Sequence, residues 1–202
     1  MKNFIGKKFI DFTIPAVMAN GSINKNFNFY KETENKNILI FFYPMDFTFV
    51  CPSELIAINN RINDFKSRNV EVLGISVDSC YSHNAWIKTS LENGGLGGSL
   101  NYVLLSDIKK DISSYLGILD DISGVSYRAS FVLDVFKTVR VQHINDFPIG
   151  RNIDEYVRLF DAISFYNEYG NVCQAGWVSG SSGIKPSSDG IGSFLKSNYK
   201  NL

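Results

Sequence analysis

Two apolar segments on either side of a helical pattern constrain the fold more than any other feature of the sequence. The first, NILIFFY at residues 37–43, is a continuous apolar run typical of a strand buried on both faces. The second, NVEVLGISVD at residues 69–78, alternates and is rich in β-branched residues, which predicts another central strand. Between them, apolar residues recur at helical spacing at Leu55, Ile58, Ile62 and Phe65. This order predicts a parallel strand pair joined by a right-handed crossover.

The rest of the chain continues the alternation of helices and strands. We predict a helix over 82–92, a strand over 101–107, a short helix ending at Gly117, two strands within 129–144 and a helix that is capped by Asn152 and ends at Gly170. The fold class is therefore α/β, with a central mixed β-sheet flanked by helices. Residues 171–202 are rich in serine and glycine, which predicts a C-terminal arm that is extended. We place the domain at 1–165 and the arm at 166–202.

Charge and composition exclude several classes of function. Twenty basic residues balance twenty acidic ones, so no long-range field favours nucleic acid or an anionic membrane. The opening MKNFIGKKFIDF lacks an apolar core followed by a small-residue cleavage site, so we expect a cytoplasmic protein. Three cysteines without a C-x-x-C pair, and only two histidines, favour neither a disulfide framework nor a zinc site. Cys80, His83 and His143 are expected to be structural.

Cys51 has the surroundings that most suggest reactivity. The thiolate is the nucleophile, whereas an ordinary thiol is mostly protonated at neutral pH. Cys51 lies at the start of the predicted helix, where unpaired N–H groups and the helix dipole favour an anion. The Thr48 hydroxyl could donate a hydrogen bond to the sulfur, and Arg128 or Arg151 could supply a cation. Pro44 would add an apolar wall that limits the access of water.

Each of these residues also has a structural explanation. A lone cysteine beside an apolar run is often a packing residue. Thr48 suits a strand end or turn, Arg128 and Arg151 suit the surface, and Glu54 suits a capping box at the third helical position. The residues taken singly therefore leave a buried structural cysteine open.

The stretch FFYPMDFTFVCPSE at 41–54 resembles the active-site signature of the peroxiredoxins, specifically their typical two-cysteine subgroup. Within it, Pro44, Thr48 and Cys51 form the pattern P-x-x-x-T-x-x-C. Further matching segments follow in family order: GISVDS at 74–79, GGLG at 94–97, Arg128 before a strand, GR at 150–151 and NVCQAGW at 171–177. The resemblance implies a thioredoxin-like fold and an antioxidant enzyme that reduces peroxides without a metal or organic cofactor.

The resemblance assigns roles to the matching residues. Cys51 would be the peroxidatic cysteine, which attacks the peroxide O–O bond and becomes a sulfenic acid. Thr48 and Arg128 would hold the thiolate and the peroxide oxygens, and Pro44 would shield the sulfenic acid. Glu54 and Arg151 would orient the arginine from behind.

The second thiol would be Cys173, the match to the family's resolving cysteine. In this subgroup it comes from the partner chain of an antiparallel homodimer and forms an intersubunit disulfide with the peroxidatic cysteine. The start of the helix at Cys51 would then have to unwind, so two conformations are expected. Gln174 stands where the family usually has proline, which should leave the sulfur chemistry intact.

The resemblance also implies partners. The substrate would be hydrogen peroxide or an alkyl hydroperoxide, and the electron donor thioredoxin or a flavoprotein reductase. Assembly of the homodimers to a decamer is expected. Two other functions stay open: a general disulfide oxidoreductase, which would need C-x-x-C where this chain has Glu54, and a non-enzymatic scaffold or holdase.

Overall fold

A computed structural model describes residues 2–201 and places seven strands in one sheet. The strands are β1 Thr13–Val17, β2 Ile23–Asn28, β3 Asn37–Phe42, β4 Val70–Ser76, β5 Val103–Ser106, β6 Arg128–Leu133 and β7 Val139–Asn145. The helices are α1 Phe29–Glu32, α2 Cys51–Asn60, α3 Ile62–Ser67, α4 Cys80–Lys88, α5 Asp111–Leu116, α6 Ile153–Tyr169 and α7 Ser188–Asn198. Among residues 2–201, no helix has both the length and the apolar character that crossing a bilayer requires.

The sheet is mixed, as predicted. Its strand order is β2-β1-β5-β4-β3-β6-β7. The three central strands are parallel, and β3 pairs with β4 from Asn37 opposite Val70 to Phe42 opposite Ile75. The outer pairs are antiparallel, including β6 against β3. The predicted parallel pair is therefore confirmed.

The core explains the two apolar runs. Residues 38–42 of β3 are all buried, and so are residues 72–76 of β4, because both strands lie in the middle of the sheet. One face carries alternate residues of β3, among them Phe42, whose ring meets Phe131 of β6 edge-on at 6.1 Å between centroids. Burial on both faces is what a continuous apolar strand predicts.

The structure differs from the sequence prediction between residues 51 and 67. The single helical stripe is broken at Arg61, which has φ −104° and ψ 9° and separates α2 from α3. The Asn59 side chain accepts a hydrogen bond from the backbone N–H of Asn101 at 2.8 Å, so the end of α2 is held by a neighbouring loop. Leu55 and Phe65 are nevertheless buried, as their spacing predicts.

The chain divides into two compact units, Met1–Ile153 and Asp154–Leu202. The first unit contains the sheet and α1 to α5, and the second contains α7 and all of α6 beyond Ile153. The segment predicted to be extended includes α7, an 11-residue helix whose cap, Ser187, accepts a hydrogen bond from the N–H of Gly190. Serine and glycine within this helix obscured it in the sequence. The domain boundary after residue 165 stays a prediction.

Candidate active site

Cys51 is the first residue of α2 and is fully buried. The chain reaches it from the end of β3 through a loop at residues 43–50, and Pro52 lies in the first helical turn. Among the described residues, no side chain caps this helix start. The sulfur therefore lies at the positive end of the helix, where a negative charge is stabilised.

Arg128 is the predicted cation that meets the sulfur. Arg128 is the first residue of β6, which pairs antiparallel with β3. The start of β6 therefore lies beside the C-terminal end of β3, and the chain runs from that end to Cys51. Its Nη1 atom lies 3.3 Å from the Sγ atom of Cys51 and donates to Oε2 of Glu54 at 2.7 Å. Its Nε atom donates to the carbonyl oxygen of Phe147 at 2.7 Å. Since a guanidinium is planar, bonds on two edges fix its orientation.

Glu54 lies in the first turn of α2 and joins the two arginines. Its Oε1 accepts from the backbone N–H and the Nε of Arg151, both at 2.9 Å, and its Oε2 accepts from Nη2 of Arg151 at 2.8 Å. The Nη1 of Arg151 donates to the Phe42 carbonyl at 2.9 Å, and its guanidinium lies 5.0 Å from the ring centroid of Phe41. Arg151 therefore supports Glu54 and makes no bond to the sulfur among residues 2–201.

The charges of this cluster bear on the state of the sulfur. The side chains of Glu54, Arg128 and Arg151 are each no more than 4% exposed. One carboxylate cannot balance two guanidinium groups, so a buried positive charge is left beside Cys51. A buried charge is costly unless it is paired, and a thiolate at position 51 pairs it.

An apolar cavity of about 540 Å³ opens beside Arg128. Its wall includes Pro44, Phe49, Val125 and Phe147, with Thr48 as one of its few polar groups. Arg128 also lines the cavity, and its Nη2 atom donates to no protein atom among residues 2–201. An arginine with two N–H groups that no described residue accepts from thus lies at an otherwise largely apolar wall.

Thr48 differs from the prediction in what it contacts. Its hydroxyl donates to the Met45 carbonyl oxygen at 2.8 Å, and within the described residues it makes no hydrogen bond to Cys51. Because the hydroxyl hydrogen of Thr48 is already donated to Met45, the Thr48 oxygen can take part in a further hydrogen bond only as an acceptor.

The other two cysteines have different surroundings. Burial raises the pKa of the Cys80 thiol to about 11, against a lowering hydrogen bond from Ser106, so Cys80 is a protonated thiol at neutral pH. Burial also raises the pKa of Cys173, while the nearby Arg158 lowers it. The Sγ of Cys173 lies 3.6 Å from the carbonyl oxygen of Ala162. Cys173 belongs to the second unit and Cys51 to the first.

Sequence reasoning missed the groups that hold the loop before α2. Asp46 in that loop is buried, and its Oδ2 lies 2.8 Å from Nδ1 of His83, whose Nε2 lies 3.1 Å from the Leu105 carbonyl oxygen. Tyr43 also donates to Asp46 at 2.9 Å. His83 therefore has the structural contacts expected of it, but no local pattern links it to Asp46. The carbonyl of Phe147 was missed as well, because a backbone group leaves no trace in the sequence.

Comparison with known proteins gives a consistent result. Residues 5–142 match the AhpC/TSA family. The chain is 47% identical to alkyl hydroperoxide reductase C of Buchnera aphidicola subsp. Baizongia pistaciae, over 92% of this chain and 93% of that protein. It is 44% identical to peroxiredoxin-2 of Mus musculus, over 92% and 91% of the two chains. The structure is similar to the reduced 2-Cys peroxiredoxin of Plasmodium vivax, with a TM-score of 0.92, 42% identity, and coverage of 97% of this chain and 100% of that one.

Proposed function

The chain belongs to the AhpC/TSA family, the peroxiredoxins, and is a thiol peroxidase that reduces peroxides with electrons from a thiol reductant; on this premise we propose that Cys51 is its peroxidatic cysteine. The observation that carries this assignment is the 3.3 Å approach of the Arg128 Nη1 atom to the Cys51 sulfur. A buried guanidinium next to a thiol at a helix start stabilises the thiolate, which is the nucleophilic form.

The oxygen transfer follows from this arrangement. The Cys51 thiolate attacks the outer oxygen of the peroxide, so that an S–O bond forms while the O–O bond breaks. The sulfur takes the hydroxyl group of the peroxide and is oxidised to a sulfenic acid, and the leaving oxygen takes a proton from solvent and departs as water or an alcohol. The free Nη2 hydrogens of Arg128 stabilise the negative charge that grows on the peroxide oxygens.

Thr48 complements Arg128 at the substrate. Because the Thr48 hydroxyl donates to Met45, its oxygen accepts from the O–H of the peroxide. One donor from the arginine and one acceptor from the threonine then orient the peroxide toward the sulfur. Pro44, in the cavity wall, keeps water from the sulfenic acid.

Glu54 and Arg151 act through Arg128. The four hydrogen bonds that Glu54 accepts hold its carboxylate in place. This carboxylate in turn holds Nη1 of Arg128 at the sulfur, and precise placement of such groups supports catalysis.

Cys173 is the proposed resolving cysteine. Its thiolate attacks the Cys51 sulfenic acid, so that an S–S bond forms while the S–O bond breaks, and the hydroxide released takes a proton from solvent to become water. A disulfide needs Cα atoms within about 7 Å, and Cys51 is fully buried at the start of a formed helix. The first turn of α2 must therefore unwind before the bond forms, which gives the enzyme a folded and a locally unfolded state.

The assembly and the partners are proposals that rest on the family. We place Cys173 on the partner chain of an antiparallel homodimer, with dimers assembling to a decamer. Thioredoxin or a flavoprotein reductase would return the disulfide to thiols, and the substrate would be hydrogen peroxide or an alkyl hydroperoxide. A cytoplasmic location and a role in antioxidant defence complete the proposal.

Non-reducing electrophoresis after an equimolar addition of peroxide tests the pairing. The wild-type protein should form a covalent dimer, and Cys51→Ser and Cys173→Ser should not. Cys80→Ser is the matched control and should dimerise like the wild type. A covalent dimer that persists in either of the first two variants would contradict the proposed disulfide.

A further inference from the structure

We propose that the stacked rings of Tyr127 and Phe147 are a positioning device that aims the Arg128 guanidinium at the peroxide. The inference rests on the proposed function, because it concerns the arginine that acts on the substrate. Tyr127 and Phe147 are positioning residues, since they act through Arg128 and not on the reacting atoms.

The bond from Arg128 to Phe147 is the first element of the argument. The Nη1 edge of the guanidinium is tied to Glu54 and lies at the sulfur, but that edge alone leaves the plane free to swing. The bond from Nε to the Phe147 carbonyl, at 2.7 Å, fixes the opposite edge. Only with both edges held does the guanidinium keep a constant orientation beside the cavity.

The carbonyl of Phe147 has to be held in place itself. Phe147 lies in the connection between β7 and α6, and connections are more mobile than the elements they join. Its ring stacks on Tyr127 with 4.8 Å between centroids and 18° between planes. Tyr127 directly precedes Arg128. The stack therefore holds the Phe147 carbonyl close to Arg128, whose Nε donates to that carbonyl.

Tyr127 is itself anchored on the other side. Its hydroxyl donates to Oδ1 of Asp120 at 3.2 Å, and its backbone N–H donates to the Ile118 carbonyl at 2.9 Å. The ring is therefore a fixed surface against which the connection can rest. The same connection contains Arg151, whose N–H and side chain bind Glu54, so it contacts the arginine cluster near both of its ends.

The two rings differ in a way that makes the proposal testable. Phe147 lines the cavity beside Arg128, whereas Tyr127 is not among the residues that line it. Loss of the Tyr127 ring should therefore disturb the arginine without removing a side chain that itself lines the cavity. Small and bulky peroxides should be slowed by the same factor.

Single-turnover oxidation of Cys51 in the full-length protein provides the test, with hydrogen peroxide and cumene hydroperoxide as separate substrates. Tyr127→Ala should lower the second-order rate constant about tenfold or more for both peroxides, as expected when a preorganised donor is misplaced. Tyr127→Phe, which keeps the ring and loses only the bond to Asp120, should restore most of the rate. Tyr127→Leu serves in place of Tyr127→Ala if the alanine variant does not fold.

Two controls separate positioning from a general loss of structure. Phe12→Ala removes a comparable stack, on Phe29 at 4.9 Å and 8°, outside the site, and should leave the rate constant unchanged. When Arg128→Lys is already present, adding Tyr127→Ala should lower the second-order rate constant by less than about twofold, because the effects of substitutions at residues that act together are not additive. A full additional loss in that background, or a wild-type rate for Tyr127→Ala, overturns the inference. Cys51→Ser, measured beside them, reports on the proposed function separately.

Discussion

The Nη1 atom of Arg128 lies 3.3 Å from the Sγ atom of Cys51, although 77 positions separate the two residues. We expect Arg128→Lys to lower the second-order rate constant with peroxide by about 10²–10³, the usual cost of losing one transition-state donor. Lysine keeps the positive charge, but a single ammonium cannot contact Cys51, Glu54 and Phe147 together. Stopped-flow measurement of Cys51 oxidation provides the rate. Arg140→Lys, at a partly exposed arginine of β7, is the matched control and should react like the wild type.

Glu54→Gln should cost stability as well as activity. Glu54 pairs with two buried guanidinium groups, and removing one partner of a buried pair costs about 3–5 kcal/mol because a charge is left without compensation. The free energy of unfolding, measured by denaturant titration of the reduced protein, should fall by this amount. The exposed Glu92→Gln should change it by less than about 0.5 kcal/mol. Equal stability of the two variants would show that the Glu54 cluster is not a buried ion pair in solution.

Thr48→Val should lower the rate constant with peroxide about tenfold or more, the value of a lost hydrogen bond to substrate. Valine has nearly the shape of threonine and cannot accept the peroxide O–H. Thr48→Ser retains the oxygen and should recover most of the rate. If Thr48→Ser and Thr48→Val reacted equally slowly with peroxide, the methyl group of Thr48, and not its oxygen, would be the group that supports the reaction.

Formation of the disulfide should accelerate as the pH rises. The pKa of Cys173 is raised by burial, so below it the reactive thiolate is a small fraction that grows about tenfold for each unit of pH. The rate of the phase that converts sulfenic acid to disulfide, followed by rapid quenching and mass spectrometry, should rise through neutral pH toward that raised pKa. A rate independent of pH would mean that unwinding of α2, and not ionisation of Cys173, limits the step.

Arg158 offers a second way to change the same step. It is the cation that lowers the pKa of Cys173, so Arg158→Leu should raise that pKa further and slow disulfide formation at neutral pH. Arg158→Lys keeps the charge and should slow it less. Oxidation of Cys51 by peroxide should be the same in both variants, since that step does not involve Cys173.

The sequence predicts the centre of the sheet well because the centre obeys simple patterns. Residues 38–42 are buried on both faces and are all apolar, so their pattern has one interpretation. The N-terminal hairpin was not predicted, since β2 reads INKNFN and exposes Lys25 and Asn26. Its pairing with β1, and not its composition, makes it a strand. α7 was not predicted either, because two glycines interrupt its helical pattern.

The candidate site could be predicted only in part. The position of Cys51 before a proline indicates a helix start, but the residues alone left Arg128 and Arg151 as equal candidates for its cation. The family resemblance favoured Arg128, and the β3–β6 pairing places Arg128 beside the sulfur. From its position alone Glu54 suited a capping box, whereas the family resemblance implied that it supports Arg128; its oxygens bind both Arg128 and Arg151. Contacts of this kind depend on distant segments meeting in the fold, and no local pattern encodes them.

We infer that the burial of Glu54 between Arg128 and Arg151 couples the proposed oxidation of Cys51 to the proposed unwinding of α2. The cluster is electroneutral only while Cys51 is an anion, because two cations then face two anions. A sulfenic acid is neutral, so transfer of the oxygen strands a cation in the protein interior. In this proposal the folded start of α2 is most stable before Cys51 is oxidised and less stable once the sulfenic acid has formed, so that oxidation itself favours unwinding of the helix.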